Sequence, residues 1–115
     1  MVISRQAAEH YTWGENCDGW ILVPGNDLLV IEERMPANTS EVRHYHATSR
    51  QFFYVLSGTL TMELDGSSHS VPARAGIEIP PNSPHQARND TGSDVMFLVI
   101  STPTSRNDRI AAPTL

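Results

Sequence analysis

The chain has 115 residues, 39% of them apolar and 18% charged, which are the proportions of a folded domain and not of a disordered segment. Its formal charge is -5, lysine is absent and the arginines are scattered, which excludes a phosphate-tracking nucleic-acid surface, Schiff-base chemistry and a phosphate-loop lysine. A single cysteine, Cys17, excludes an intrachain disulfide framework, and with Glu15 and Asp18 beside it the thiol lacks the positive surroundings of a nucleophile.

Met1 to Gln6 hold no apolar stretch of the kind found in a secretory leader, and no run approaches a membrane-spanning length, so a cytoplasmic location is expected. Residues 4–12 are the best helix candidate, a short one. Trp13 and Trp20 bracket the polar segment Gly14 to Gly19 and are read as packing aromatics. After Pro24-Gly25-Asn26-Asp27 the chain becomes a series of short strands: Leu28 to Arg34, Glu41 to His46, Gln51 to Leu56, Thr59 to Leu64, His69 to Val71, Ile77 to Ile79, Gln86 to Arg88 and Val95 to Ser101. Ser57-Gly58, Asp65-Gly66, Pro80 to Pro84 and Asn89 to Gly92 punctuate them, and Asp65-Gly66 is a hairpin-turn signal. Strands at this spacing, without a convincing amphipathic helix, predict an all-β sandwich or barrel in one domain spanning 1–115. The tail from Thr102 to Leu115 is polar, carries two prolines, and is expected to pack along the barrel or fray.

Chemistry concentrates at His44-Tyr45-His46. Residues two apart in a strand leave the same face, with Cα atoms about 6–7 Å apart. Two imidazoles so placed can converge on one ion at about 2.0–2.1 Å. Gln51 heads the next strand and shares a face with Phe53 and Val55; if it points inward with the histidines, those two line the cavity. His85 follows a proline-rich turn that fixes its backbone. Together these residues supply three imidazoles and one amide oxygen.

His44-x-His46, four residues, Gln51, six residues and Gly58 resemble the first motif of the cupin superfamily, H-x-H, three or four residues, E, six residues, G. Pro80-Pro81-Asn82-Ser83-Pro84-His85, three residues and Asn89 resemble the second, P-x-G-x-x-H-x3-N, with Asn82 where glycine is usual and Gly76 preceding it. The motifs occupy about 44–58 and 76–89, and the chain resembles the small single-domain cupins. The resemblance implies a double-stranded β-helix, or jelly roll. It also implies a divalent metal held by His44, His46 and His85, with Gln51 in the position of the usual glutamate ligand. Family metals include iron, manganese, nickel, zinc, copper and cobalt.

Gln51 has a consequence of its own. A glutamate would cancel one charge of the ion, whereas an amide cancels none. The ion would keep nearly its full double charge, act as a stronger Lewis acid, and favour a bound hydroxide or an anionic chelating substrate.

His10 and His69 read as solvated, and Tyr45 and Tyr54 as outward-facing. Met62 and Met96 read as core or cavity lining. Glu32, Glu33, Glu41 and Glu78 lie in or beside strands near the cavity, and none is singled out as catalytic. Arg34 reads as a surface ion-pair partner of Glu41, with anion holding as the lesser alternative.

The expected function is a metal-binding cupin for a small anionic or oxygen-chelating molecule. Dioxygenase-type oxidation leads, a non-redox isomerase, epimerase or lyase comes second, and a non-catalytic binding or sensing module is the competing class. Cupin resemblance implies dimers as well, and Phe52, Tyr54 and Leu56 would suit the interface of a homodimer.

Overall fold

The computed structural model describes residues 1–115 as an all-β molecule of two six-stranded antiparallel sheets. The first runs, in spatial order, β1 (Glu9–Trp13), β2 (Cys17–Pro24), β3 (Leu29–Met35), β11 (Val95–Thr102), β6 (Arg50–Ser57) and β9 (Gly76–Ile79). The second runs β12 (Ile110–Ala111), β5 (His44–Tyr45), β10 (His85–Asn89), β7 (Thr59–Leu64) and β8 (Ser67–Pro72), with β4 (Thr39–Ser40) paired to β10. Neighbours such as β3 and β11, far apart in sequence, make this the double-stranded β-helix that the motifs imply.

Side-chain alternation decides which face of each strand is buried. In β11 Val95, Phe97, Val99 and Ser101 are buried, while Met96, Leu98 and Ile100 lie outside. Met96 is therefore not in the core, whereas Met62 is fully buried there. In β6 Gln51, Phe53 and Val55 point inward, and Phe52 and Leu56 are exposed. The core between the sheets is built from Met35, Phe53, Val55, Leu60, Met62, Val95 and Phe97, among others.

Several expectations need correction. Residues 4–12 form no helix; a turn at 5–7 leads into β1, because Tyr11 and Trp13 gain more burial on the sheet than a short amphipathic turn offers. The segment after Trp13 is a tight turn, through Gly14 and Asn16 at positive φ, into β2, whose eight residues were not anticipated. The expected strand from Glu41 to His46 pairs only at His44–Tyr45, after the separate pair Thr39–Ser40. The tail does not fray at β12, which pairs with β5 in the register Ile110↔Tyr45 and Ala111↔His44.

Two motif residues have clear structural reasons. Asn82, where glycine is usual, sits at φ 66°, a left-handed conformation that asparagine tolerates, and its amide donates to the His46 carbonyl at 2.7 Å. Asn89 is fully buried; its amide donates to the carbonyls of Met35, Pro36 and Ser93, and its oxygen accepts from Thr91. Beneath the site, Arg43 and Glu63 form a bidentate buried ion pair, Nε to Oε1 at 2.7 Å and Nη2 to Oε2 at 3.1 Å.

Candidate functional site

His44 and His85 are directly opposed across the β5–β10 pair, and His46 follows at the end of β5, so backbone pairing alone gathers three imidazoles. Their ring centroids are 4.9, 4.5 and 5.6 Å apart, and one nitrogen from each lies within 4.8 Å of the others. All three are buried.

The second ring nitrogens fix the tautomers. Nδ1 of His44 faces the Val42 carbonyl at 2.7 Å, Nδ1 of His85 faces that of Ser83 at 2.9 Å, and Nδ1 of His46 faces that of Asp108. A carbonyl only accepts, so each Nδ1 carries the proton and each Nε2 keeps its lone pair. Burial pushes the imidazoles down, His44 to about 3 and His85 to about 4, against the smaller opposing pull of their carbonyl partners. His46 is lowered for the same first reason. The rings are therefore neutral, the form that ligates metals.

Gln51 lies in the same place. Its Nε2 donates to Ser101 Oγ at 3.0 Å, which leaves Oε1 free to turn toward the histidines. Oε1 of Gln51 and Nε2 of His46 and His85 are buried without a hydrogen-bond partner. Orphaned buried acceptors are rare, and three together are what a cation's coordination would satisfy. The donor set fits a divalent ion of imidazole preference such as iron, nickel, copper, cobalt or zinc.

A cavity of about 450 Å³ opens over His44, His46 and Gln51, in the size range of small-molecule sites. Leu29, Ile31, Phe53 and Val99 give it apolar walls. Its other polar groups come from three separate segments: Glu9 and Tyr11 of β1, Glu33 of β3, and Arg106 and Arg109 of the tail. Tyr11 donates its hydroxyl to Glu33 Oε2 at 3.0 Å. Burial raises Glu33 to about 7 despite that bond, and raises Tyr11 also, with the Glu33 charge adding to the effect. Glu41 lines the cavity as well, accepts from the Ala87 amide at 2.8 Å, and is raised by burial to about 8.

Among the four glutamates considered from sequence, Glu33 and Glu41 face the cavity. Glu32 pairs with Arg5 and Glu78 with Arg50, both away from it. Arg34 does not pair with Glu41 and does not line the cavity: Nε donates to Asp18 at 2.7 Å and Nη1 to Asp94 at 3.1 Å on the outer face. A signal for Glu33 was available, since it is the one polar residue on the Leu29, Ile31, Met35 face of β3. Tyr11 was hidden by the helical reading of residues 4–12. Arg106 and Arg109 carried no local signal at all. Trp13 packs against the core, and Trp20 lies outside against His10 and under the Arg5 guanidinium.

Fold and cluster together define a class: a double-stranded β-helix with converging imidazoles at one end and a small-molecule cavity above them. Residues 31–101 match the Cupin domain family model, and the chain belongs to that family. It is 32% identical over 74 residues to the uncharacterized protein MJ1618 of Methanocaldococcus jannaschii, covering 64% of this chain and 59% of that one. It is 41% identical over 46 residues to polyketide synthase CurC of Streptomyces cyaneus, covering 40% of this chain and 30% of that one. The matches thus span less than two thirds of the length of either curated relative. Among solved structures, the polyketide cyclase RemF of Streptomyces resistomycificus superposes with a TM-score of 0.82 at 19% identity, over 100% of this chain and 87% of that one, a likeness of fold. No helix is long and apolar enough to cross a membrane.

Proposed function

We propose that the protein is a metal-dependent, non-redox enzyme that moves a proton on a small oxygen-chelating substrate of the β-dicarbonyl type. The observation that carries this reading is the Tyr11–Glu33 pair, which shares one cavity with His44, His46 and Gln51. His44, His46 and His85 would hold a divalent ion, with the Gln51 oxygen as a fourth donor; when bound, the ion supplies a Lewis acid that polarises a carbonyl oxygen.

The chain's own groups then account for the proton. A carboxyl near 7 is populated in both forms at neutral pH, so Glu33 can accept a proton from the carbon between two carbonyls and return it to an oxygen later. Tyr11 holds the Glu33 carboxyl in one orientation by its 3.0 Å bond. Leu29, Ile31, Phe53 and Val99 exclude water around the reacting carbon. Isomerisation, dehydration and ring closure by internal aldol addition share this proton removal and need no net oxidation. A relative named as a polyketide synthase and a fold neighbour named as a polyketide cyclase support the last of these. The oxidative reading uses the same ligand cluster but leaves Glu33 and Tyr11 without a role. Outward-facing Phe52, Tyr54 and Leu56 support a homodimer, which light scattering tests.

The decisive measurement is deuterium exchange at the methylene of methyl acetoacetate in heavy water, followed by NMR beside an oxygen electrode. Exchange above the buffer rate that requires both added metal and Glu33, without oxygen uptake, is the expected result. Oxygen consumption that keeps pace with substrate loss and survives Glu33→Gln would overturn the reading in favour of oxidation. Ligand-induced stabilisation without exchange would place the protein among binding modules.

A further inference from the structure

The segment after β11 returns across the cavity and is tied down along its length. Ser49 Oγ donates to the Pro103 carbonyl at 2.6 Å and the Thr104 amide to that of Asn26 at 2.9 Å. The Asp108 carboxylate accepts from the amides of Ala47, Thr48 and Ser49 at 2.8, 3.0 and 2.9 Å, and the Asp108 carbonyl accepts from Nδ1–H of His46. Beyond it, β12 pairs with β5 and the Ala112 amide donates to the Arg43 carbonyl. An arm so anchored holds its backbone at a fixed place relative to the imidazoles.

Two of the arm's side chains are Arg106 and Arg109, and both line the cavity. Arg5, Arg34, Arg43, Arg50 and Arg88 each pair with a carboxylate within 4.0 Å; Arg74, Arg106 and Arg109 pair with none, and of these three only Arg106 and Arg109 line the cavity, which Glu33 and Glu41 also border. The Arg106 guanidinium makes no hydrogen bond, and that of Arg109 only a 3.4 Å contact to the Val42 carbonyl. Glu33 accepts instead from the Tyr11 hydroxyl at 3.0 Å and Glu41 from the Ala87 amide at 2.8 Å. The cavity thus presents the imidazoles of His44 and His46 and the Gln51 amide from its buried side, and two solvent-exposed guanidiniums without a carboxylate partner from the arm.

We infer that Arg106 and Arg109 form an oxyanion-binding subsite that holds a carboxylate or phosphoryl terminus of the substrate while its dicarbonyl end sits at the histidines. Guanidinium forks suit both groups by bidentate geometry. The identity of the dicarbonyl end rests on the proposed function; the oxyanion subsite does not. Asp108 serves as a positioning residue, since one side chain seats both the arm and the loop that follows His46.

The test compares succinylacetone, a β-diketone ending in a carboxylate, with its methyl ester, by calorimetry on zinc-loaded protein at low salt. The acid should bind about tenfold tighter or more, from charge-assisted bonds worth about 1.4 kcal/mol or more together. The double variant Arg106→Gln/Arg109→Gln should abolish that preference, so that acid and ester bind the variant equally. Both positions are exposed, so the fold tolerates the change. Equal binding of acid and ester, or a preference that survives the double variant because the ion alone creates it, overturns the subsite. Competition by acetate or by inorganic phosphate identifies which oxyanion the arm takes, and competition by neither also overturns it. Acid preference that persists after EDTA treatment keeps the arm and removes the chelate reading. Ester binding without acid preference does the opposite.

Discussion

Glu33→Gln separates a carboxyl kept for chemistry from one kept for stability. In the folded protein Glu33 is raised from its ordinary 4.5 to about 7, first by burial, while the Tyr11 hydroxyl and the Arg109 charge pull it back. Tyr11 bonds it and Glu41 borders the same cavity. A folded pKa above the unfolded one means that the native state holds the proton more tightly. Stability is therefore intact below 4.5 and is lost as pH rises through 7. The gap corresponds to about 3 kcal/mol, an upper figure because the open side of the cavity admits screening water. Glutamine keeps the shape and can still accept from Tyr11, but it never ionises.

Urea unfolding of metal-free wild type and Glu33→Gln at about pH 5 and about pH 8 reads this directly. The variant should gain stability relative to wild type mainly at the higher pH, by up to about 3 kcal/mol. It should also lose about 10²–10⁴-fold in the exchange rate of a β-dicarbonyl proton. Glu41 remains in both proteins, so its own titration cancels in the difference. If the stability difference is the same at both pH values, the carboxyl is not held protonated and the acid–base argument fails with it.

Two further outcomes follow from the interior. Glu63→Leu leaves the Arg43 guanidinium, 9% exposed, without its bidentate partner, and should cost about 3–5 kcal/mol in urea unfolding; a loss below about 1 kcal/mol would mean that the pair is solvated. Gln51→Glu supplies the charge that the donor set lacks, so affinity for zinc in a chelator competition should rise at least tenfold, with a weaker preference for anionic ligands. Unchanged affinity and unchanged preference together would remove the argument from the neutral amide.

The imidazole half of the site was legible because its pattern is short. His44 and His46 lie two apart and His85 opposes His44 across the β5–β10 pair, so a few local residues carried the pattern. The alternation that placed Gln51, Phe53 and Val55 inside was equally local. Local reasoning failed where tertiary pairing overrode a weak preference. Residues 4–12 have some helical character, yet they became the approach to β1 because β2 offered an edge to pair with, in the register Tyr11↔Gly19. Gly19 is what lets this happen: a Cβ there would lie 2.2 Å from the Tyr11 ring. No reading of either residue alone contains that fact.

The other half of the site was hidden for a different reason. A metal dictates its ligands' spacing, but a substrate dictates only where groups end in space, and a chain can reach those places from anywhere. Tyr11, Glu33, Arg106 and Arg109 come from β1, β3 and the arm, up to 98 positions apart (109 − 11), and meet only after both sheets close. Their polarity is the one trace they leave in sequence. Glu33 shows it, as a carboxyl on the buried face of β3, where an apolar residue would cost nothing. A carboxyl that burial penalises, held in a cavity by a single tyrosine hydroxyl, is best explained by the molecule it meets. By that argument Glu33 says more about the reaction than the histidines do, since the histidines fit an ion and leave its use open.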